Sequence, residues 1–144
     1  MLYEKARARV LIVEDDEAVS MLLETRLGLA GYSTCRTGAG WAGLQAMQEF
    51  QPDGVILDIN LPGLDGFGVL ETKLTRSAIR HIPVMMLTAR HAAPDIRRAL
   101  ALGAKDYLAK PFDDQQLLAR VGRLVRKKRQ PPPTPPPSAA PLLL

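Results

Sequence analysis

Glu14-Asp15-Asp16 follows directly on Val10-Leu11-Ile12-Val13, and Asp58 follows Val55-Ile56-Leu57. Thr88 follows Val84-Met85-Met86-Leu87, and Lys110-Pro111 follows Tyr107-Leu108-Ala109. Each polar group therefore stands at the end of a short apolar run. If the first and third runs are neighbouring strands, about 4.8 Å apart, Glu14, Asp15 and Asp58 converge. Two carboxylates about 4 Å apart repel by about 4 kcal/mol at an effective dielectric near 20, so such a cluster persists only with something to offset it. Oxygen-only ligands with open positions suit Mg²⁺, with Mn²⁺ as an alternative; such an ion keeps waters and pairs with phosphate oxygens. Lys110, two strands from Asp58 or roughly 10 Å along the sheet, closes much of that gap when its side chain is extended.

The fold has to bring these strand ends to one rim. The apolar runs do not alternate, which is the pattern of strands buried on both faces. Between them, spacing is helical. Val19, Leu22, Leu23, Leu27 and Ala30 mark a first helix that Gly31 stops. Tyr32–Cys35 reads as a second strand and Trp41–Phe50 as a second helix. Phe67, Leu70 and Leu74 stripe a third helix, and Pro83 suits the start of a fourth strand. Ile96, Ala99 and Leu100 mark a fourth helix closed by Gly103, and Leu117, Leu118, Val121, Leu124 and Val125 the last. Parallel strands need helical crossovers, so five such units predict an α/β doubly wound, five-stranded parallel sheet with five helices. With strand order 2-1-3-4-5, the site lies at the carboxyl ends of the strands, where the order reverses.

Composition narrows the class. The chain has 144 residues, 47% of them hydrophobic and 24% charged, enough for one core. No apolar run approaches the 18–20 residues or so of a membrane span and no leader pattern opens the chain, so a cytoplasmic location is expected. A single cysteine, Cys35, excludes an internal disulfide and is expected to be a small buried residue. The net charge of +4 resides in one run, Arg126-Lys127-Lys128-Arg129, which suits the carbonyl end of a solvated helix. After Gln130, six of the 12 prolines fall within residues 131–137, so 1–129 is expected to be the folded domain and 130–144 a Pro-rich linker or tail.

The same residues carry a family resemblance. Val13-Glu14-Asp15-Asp16, Leu57-Asp58-Ile59-Asn60-Leu61-Pro62-Gly63-Leu64-Asp65-Gly66, Leu87-Thr88-Ala89, Gly103-Ala104-Lys105-Asp106-Tyr107 and Lys110-Pro111-Phe112 occur in order, most of them at predicted strand ends. Over residues 7 to about 129 the chain resembles the response-regulator receiver (CheY-like) family, and within it the OmpR/PhoB type. The resemblance implies that Asp58 is the phosphoacceptor, fed by a sensor histidine kinase or a phosphotransfer protein. It implies Mg²⁺ held by Asp15, Asp58 and the Asn60 carbonyl, with Glu14 acting through water. Thr88 and Lys110 would contact the phosphoryl oxygens, and Thr88 and Tyr107 would form the conformational switch. The Lys110–Pro111 bond is expected to be cis. Asn60 and Arg90 would flank the site entrance and tune the lifetime of the acyl phosphate.

The acidic pair is read as Glu14-Asp15 rather than Asp15-Asp16, because the Val-Glu-Asp order and the spacing to Asp58 match the OmpR/PhoB type; Asp16 then suits a helix cap. The resemblance further implies a homodimer through the fourth helix, fifth strand and fifth helix. Asp106 and Arg120 resemble one cross-subunit pair, while Ile96 and Gln116 stand where charged partners would be expected. A C-terminal DNA-binding domain would be the missing output. Such a chain is not an enzyme on other substrates; it catalyses only its own phosphorylation and dephosphorylation. Two other classes compete. A metal-dependent aspartyl phosphatase of the haloacid-dehalogenase kind uses similar residues, but in the reverse chain order. A receiver-like module working without phosphorylation would be expected to lack Asp58, Thr88 or Lys110. His81 and His91 show no metal-ligand spacing, and Trp41 is expected to pack rather than bind a ligand.

Overall fold

A computed structural model describes residues 7–129, with side chains through Arg126. The Pro-rich segment and the side chains of most of the basic run lie outside the described residues. Five strands alternate with five helices: β1 (Arg9–Val13), α1 (Glu17–Leu29), β2 (Ser33–Thr37), α2 (Gly40–Phe50), β3 (Gly54–Leu57), α3 (Gly66–Leu74), β4 (Val84–Thr88), α4 (Ala93–Ala101), β5 (Asp106–Ala109) and α5 (Asp114–Arg129). All pairings are parallel, in the order β2-β1-β3-β4-β5. This is the predicted doubly wound sheet, and β1 and β3 are neighbours as the site requires. No helix among the described residues is long and apolar enough to cross a membrane.

The central strands are buried on both faces, which explains their unbroken apolar runs. One side chain set, including Leu11, Val13, Leu57 and Met86, packs under α2, α3 and α4; the other, including Ile12, Ile56 and Leu87, packs under α1 and α5. The α5 stripe is inside as expected, with Leu118 at its margin. Edge strand β2 is only half-buried, so Cys35 sits at the border of the core rather than within it.

Three helices depart from the predicted stripes. In α1 the buried positions are Ser20, Leu23 and Leu27, whereas Leu22 is exposed. In α3, Phe67 and Leu70 are continued by Lys73, and Leu74 faces out, because the buried face follows steps of three here rather than three then four. In α4 only Ala99 is fully buried, and Leu100 is exposed. Trp41 does not pack inside: Gly40, Gly43, Leu44 and Met47 form the inner face of α2, leaving Trp41 58% exposed.

Candidate functional site

Backbone pairing continues one residue beyond the strands and sets the rim. The Glu14 amide donates to the Thr37 carbonyl (3.0 Å) and the Asp58 amide to the Val13 carbonyl (3.1 Å), so Glu14 and Asp58 leave adjacent strands side by side. Asp16 turns the chain into α1 as its N-cap, accepting from the Ala18 and Val19 amides. After Asp58 the chain doubles back: Gly66 at the start of α3 donates to the Ile59 carbonyl at 2.7 Å. A β-carbon at position 66 would lie 2.4 Å from the Asp58 carbonyl oxygen, so only glycine permits this approach. Asp65 caps α3 through the Gly68 amide. On the other side, the Lys110 amide donates to the Thr88 carbonyl (3.1 Å), and the Lys110–Pro111 bond is cis, as expected.

The side chains meet where the strand arithmetic puts them. Glu14, Asp15 and Asp58 each offer a carboxylate oxygen within 4.8 Å of the others. Glu14 and Asp58 are only 4% and 5% exposed, whereas Asp15 is open to solvent. Lys110 crosses from β5 and places its ammonium 2.8 Å from Glu14 Oε1 and 3.1 Å from Asp58 Oδ2. Burial pushes the Glu14 carboxyl up, with the Asp58 charge adding to it, although Lys110 and the Asp16 amide oppose the rise. Burial alone would lower the Lys110 amine; its hydrogen bond to Glu14 and the charge of Asp58 more than offset this and raise it. Three carboxylates facing one partly open point, with one of them exposed, fit a hard divalent cation that keeps water ligands.

The remaining site residues surround this centre. Thr88 is fully buried, and its hydroxyl accepts from the Arg90 amide at 3.1 Å. The Asn60 amide donates to Asp58 Oδ1 at 3.3 Å, while its side-chain oxygen accepts from Arg90 at 3.4 Å. Tyr107 is half-buried and donates its hydroxyl to the Arg90 carbonyl. Burial, followed by the Asp95 charge, raises its phenol. The sequence reading did not single out Asp95, Gly66 or Lys73. Gly66 was readable as part of a turn-forming Pro/Gly loop, whereas the contacts of Asp95 with Arg90 and of Lys73 with the Arg80 carbonyl, five and seven residues apart, depend on how irregular segments turn, which residue type alone does not specify.

This geometry has counterparts in known proteins. A family model described as the response regulator receiver domain matches residues 10–122. The chain belongs to that family. It is a receiver domain of two-component response regulators, so the phosphatase and phosphorylation-independent alternatives are not favoured.

The receiver is 40% identical over 119 residues to the DNA-binding dual master transcriptional regulator RpaA of Synechocystis sp. (strain ATCC 27184 / PCC 6803 / Kazusa), covering 83% of this chain and 49% of that one. It is 37% identical over 121 residues to the DNA-binding response regulator MtrA of Mycobacterium leprae (strain TN), covering 84% and 52%. The chain thus spans about half the length of the curated relatives it matches. Among solved structures, the chemotaxis protein CheY4 of Vibrio cholerae superposes with a TM-score of 0.78 at 29% identity, covering 83% of this chain and 99% of that one. The receiver domain of the sensor histidine kinase PA1611 from Pseudomonas aeruginosa PAO1 gives 0.77 at 28% identity, covering 83% and 98%; that structure has a magnesium ion coordinated in its active-site cleft.

On the face where the receiver was expected to dimerise, Asp106 and Arg120 pair within one chain at 2.6 Å, with Arg123 3.8 Å from the same carboxylate. Their spacing from β5 to α5 satisfies the charge locally, so the pair does not by itself call for a second copy. Gln116 is engaged with Asp113 at the start of α5, and Ile96 is half-buried.

Proposed function

We propose that Asp58 accepts a phosphoryl group from a histidine-kinase phosphohistidine or a phosphotransfer protein. A carboxylate oxygen of Asp58 attacks phosphorus, the phosphorus–nitrogen bond breaks, and the electron pair leaves with the imidazole. The observation that carries this reading is the buried Asp58 carboxylate held beside Glu14, Asp15 and the Lys110 ammonium. Asp15, Asp58 and the Asn60 carbonyl would hold Mg²⁺, with Mn²⁺ as the alternative, and Glu14 would act through a bound water. The ion, when bound, neutralises charge on the phosphoryl oxygens.

Lys110 contributes a second cation to those oxygens and Thr88 a hydroxyl donor, since its bond from the Arg90 amide engages only a lone pair of the oxygen. Movement of Thr88 releases space for Tyr107 to turn inward, so the phosphorylated form favours an inward ring. The chain acts only on itself, in gaining and losing the group, with Asn60 and Arg90 tuning its lifetime. The folded unit is assigned to 1–129 and the segment 130–144 to a Pro-rich linker or tail. Output is proposed to run through a homodimer of α4, β5 and α5 and a C-terminal DNA-binding domain in the cytoplasm; the DNA-binding part of this reading is supported by the names of the regulators the chain resembles.

Incubation with acetyl phosphate and Mg²⁺, followed by intact mass measurement, tests the assignment. One added phosphoryl group is expected on the native chain and none on Asp58→Asn. Equal labelling of both would place the acceptor elsewhere.

A further inference from the structure

We propose that Asp95 is a positioning residue that prolongs the life of the phosphoryl group by holding Arg90 across the mouth of the site. The inference rests on Asp58 being the acceptor. Arg90 lies two residues beyond Thr88, in the loop leading to α4, and it is gripped from several elements. Its amide is bound to Thr88 Oγ1, and its carbonyl receives the Tyr107 hydroxyl. Its guanidinium makes a two-pronged contact with Asp95, Nη2 to Oδ1 at 3.1 Å and Nε to Oδ2 at 3.4 Å. From there Nη1 reaches Asn60 Oδ1 at 3.4 Å, and the guanidinium carbon lies 5.6 Å from the centre of the Phe67 ring. Arg98 covers the same ring at 4.2 Å, so a second cation limits how far Arg90 can slide along it.

The contacts are unequal in strength. The forked contact with Asp95 is charge-assisted and matches the planar guanidinium. The contact with Asn60 is long and to a neutral amide. Without the Asp95 carboxylate, the long side chain regains rotamers that it now forgoes. With it, Arg90 joins the loop after β3 to the loop after β4, the two loops that frame Asp58. Loss of the phosphoryl group requires a water oxygen to attack phosphorus while the bond to Asp58 breaks. The electron pair returns to the carboxylate, the water proton passes to solvent, and inorganic phosphate departs. An arginine fixed between the two loops narrows the approach of that water.

The test follows the intact mass of the full chain after acetyl phosphate is removed, in Mg²⁺, for the native protein, Asp95→Asn, Arg90→Ala, the double variant and Asp95→Glu. Asp95→Asn is expected to shorten the lifetime about two- to five-fold, the range of a partly exposed ion pair. The double variant is expected to match Arg90→Ala alone, and Asp95→Glu to regain most of the native lifetime. A role of Asp95 confined to stabilising the start of α4 would leave the lifetime unchanged or add to the Arg90→Ala effect, and either result overturns the proposal. Absence of label on the native chain overturns the acceptor assignment instead, so the two failures are distinct.

Discussion

Two lysines, Lys73 buried and Lys110 half-buried, lie at opposite ends of this domain, and their surroundings differ in sign. Lys110, at the carboxyl rim, lies between Glu14 and Asp58. Lys73 lies near the other end of α3, 5% exposed, and donates to the Arg80 carbonyl at 2.9 Å. Its electrostatic neighbour is another cation, Lys105, and burial, reinforced by that charge, pushes its amine down to about 8. One end of the sheet assembles opposite charges around an ammonium; the other buries an ammonium against a neutral dipole. The first is an arrangement for chemistry. The second is a cost that the surrounding apolar packing has to carry.

Replacing Lys110 by alanine is the strongest way to test the contrast. Phosphorylation by acetyl phosphate is expected to slow by about 10²–10³-fold, the usual loss when a charge-stabilising group is removed from a reacting site. A rate within a few-fold of native would strip the rim of its special status.

Lys73→Met is expected to act in the opposite sense and raise stability by about 1–3 kcal/mol at neutral pH. The pH dependence distinguishes the two ends. Because the folded Lys73 amine titrates near 8, below the ordinary lysine range, the unfolded chain holds more protons above that pH. Native stability therefore rises as pH climbs from about 8 toward 10.5, and Lys73→Met should abolish that rise. Lys110 has the reverse linkage. Its amine is raised, so its contribution is complete below the ordinary lysine value and fades as pH passes through the higher folded one. Urea unfolding between pH 8 and 10.5 reads the Lys73 rise, and the Lys110 loss follows only above that interval. Arg120→Ala gives the smallest expected change: the pair with Asp106 is partly exposed, and its loss should cost about 1 kcal/mol or less in the same measurement.

The unequal legibility of the two ends follows from physics. Glu14, Asp58, Thr88 and Lys110 could be read because each ends an apolar run, and a parallel sheet delivers all such ends to one rim. The five helices followed from the same alternation, whereas the strand order β2-β1-β3-β4-β5 entered as a condition, because alternation makes strands parallel without saying which are neighbours. The stripes were less legible where three- and four-residue steps compete: Leu74 looked like the inward residue of α3, yet Lys73 takes that place. Trp41 misled because its size suggests burial, while its position beside a glycine-lined face turns it outward. The forked contact of Asp95 with Arg90 joins the first turn of α4 to the loop five residues before it, and composition carries no trace of the side-chain orientation that closes it.

The bare α-carbon of Gly66 has a wider consequence. Because the first turn of α3 rests directly on the peptide of the acceptor, a methyl group introduced there would displace Asp58 through its own main chain without touching phosphate, metal or partner. The helix start therefore serves as a backstop that fixes the depth of the reactive carboxylate, and sequence variation on the far side of α3 can proceed freely while this single point stays empty.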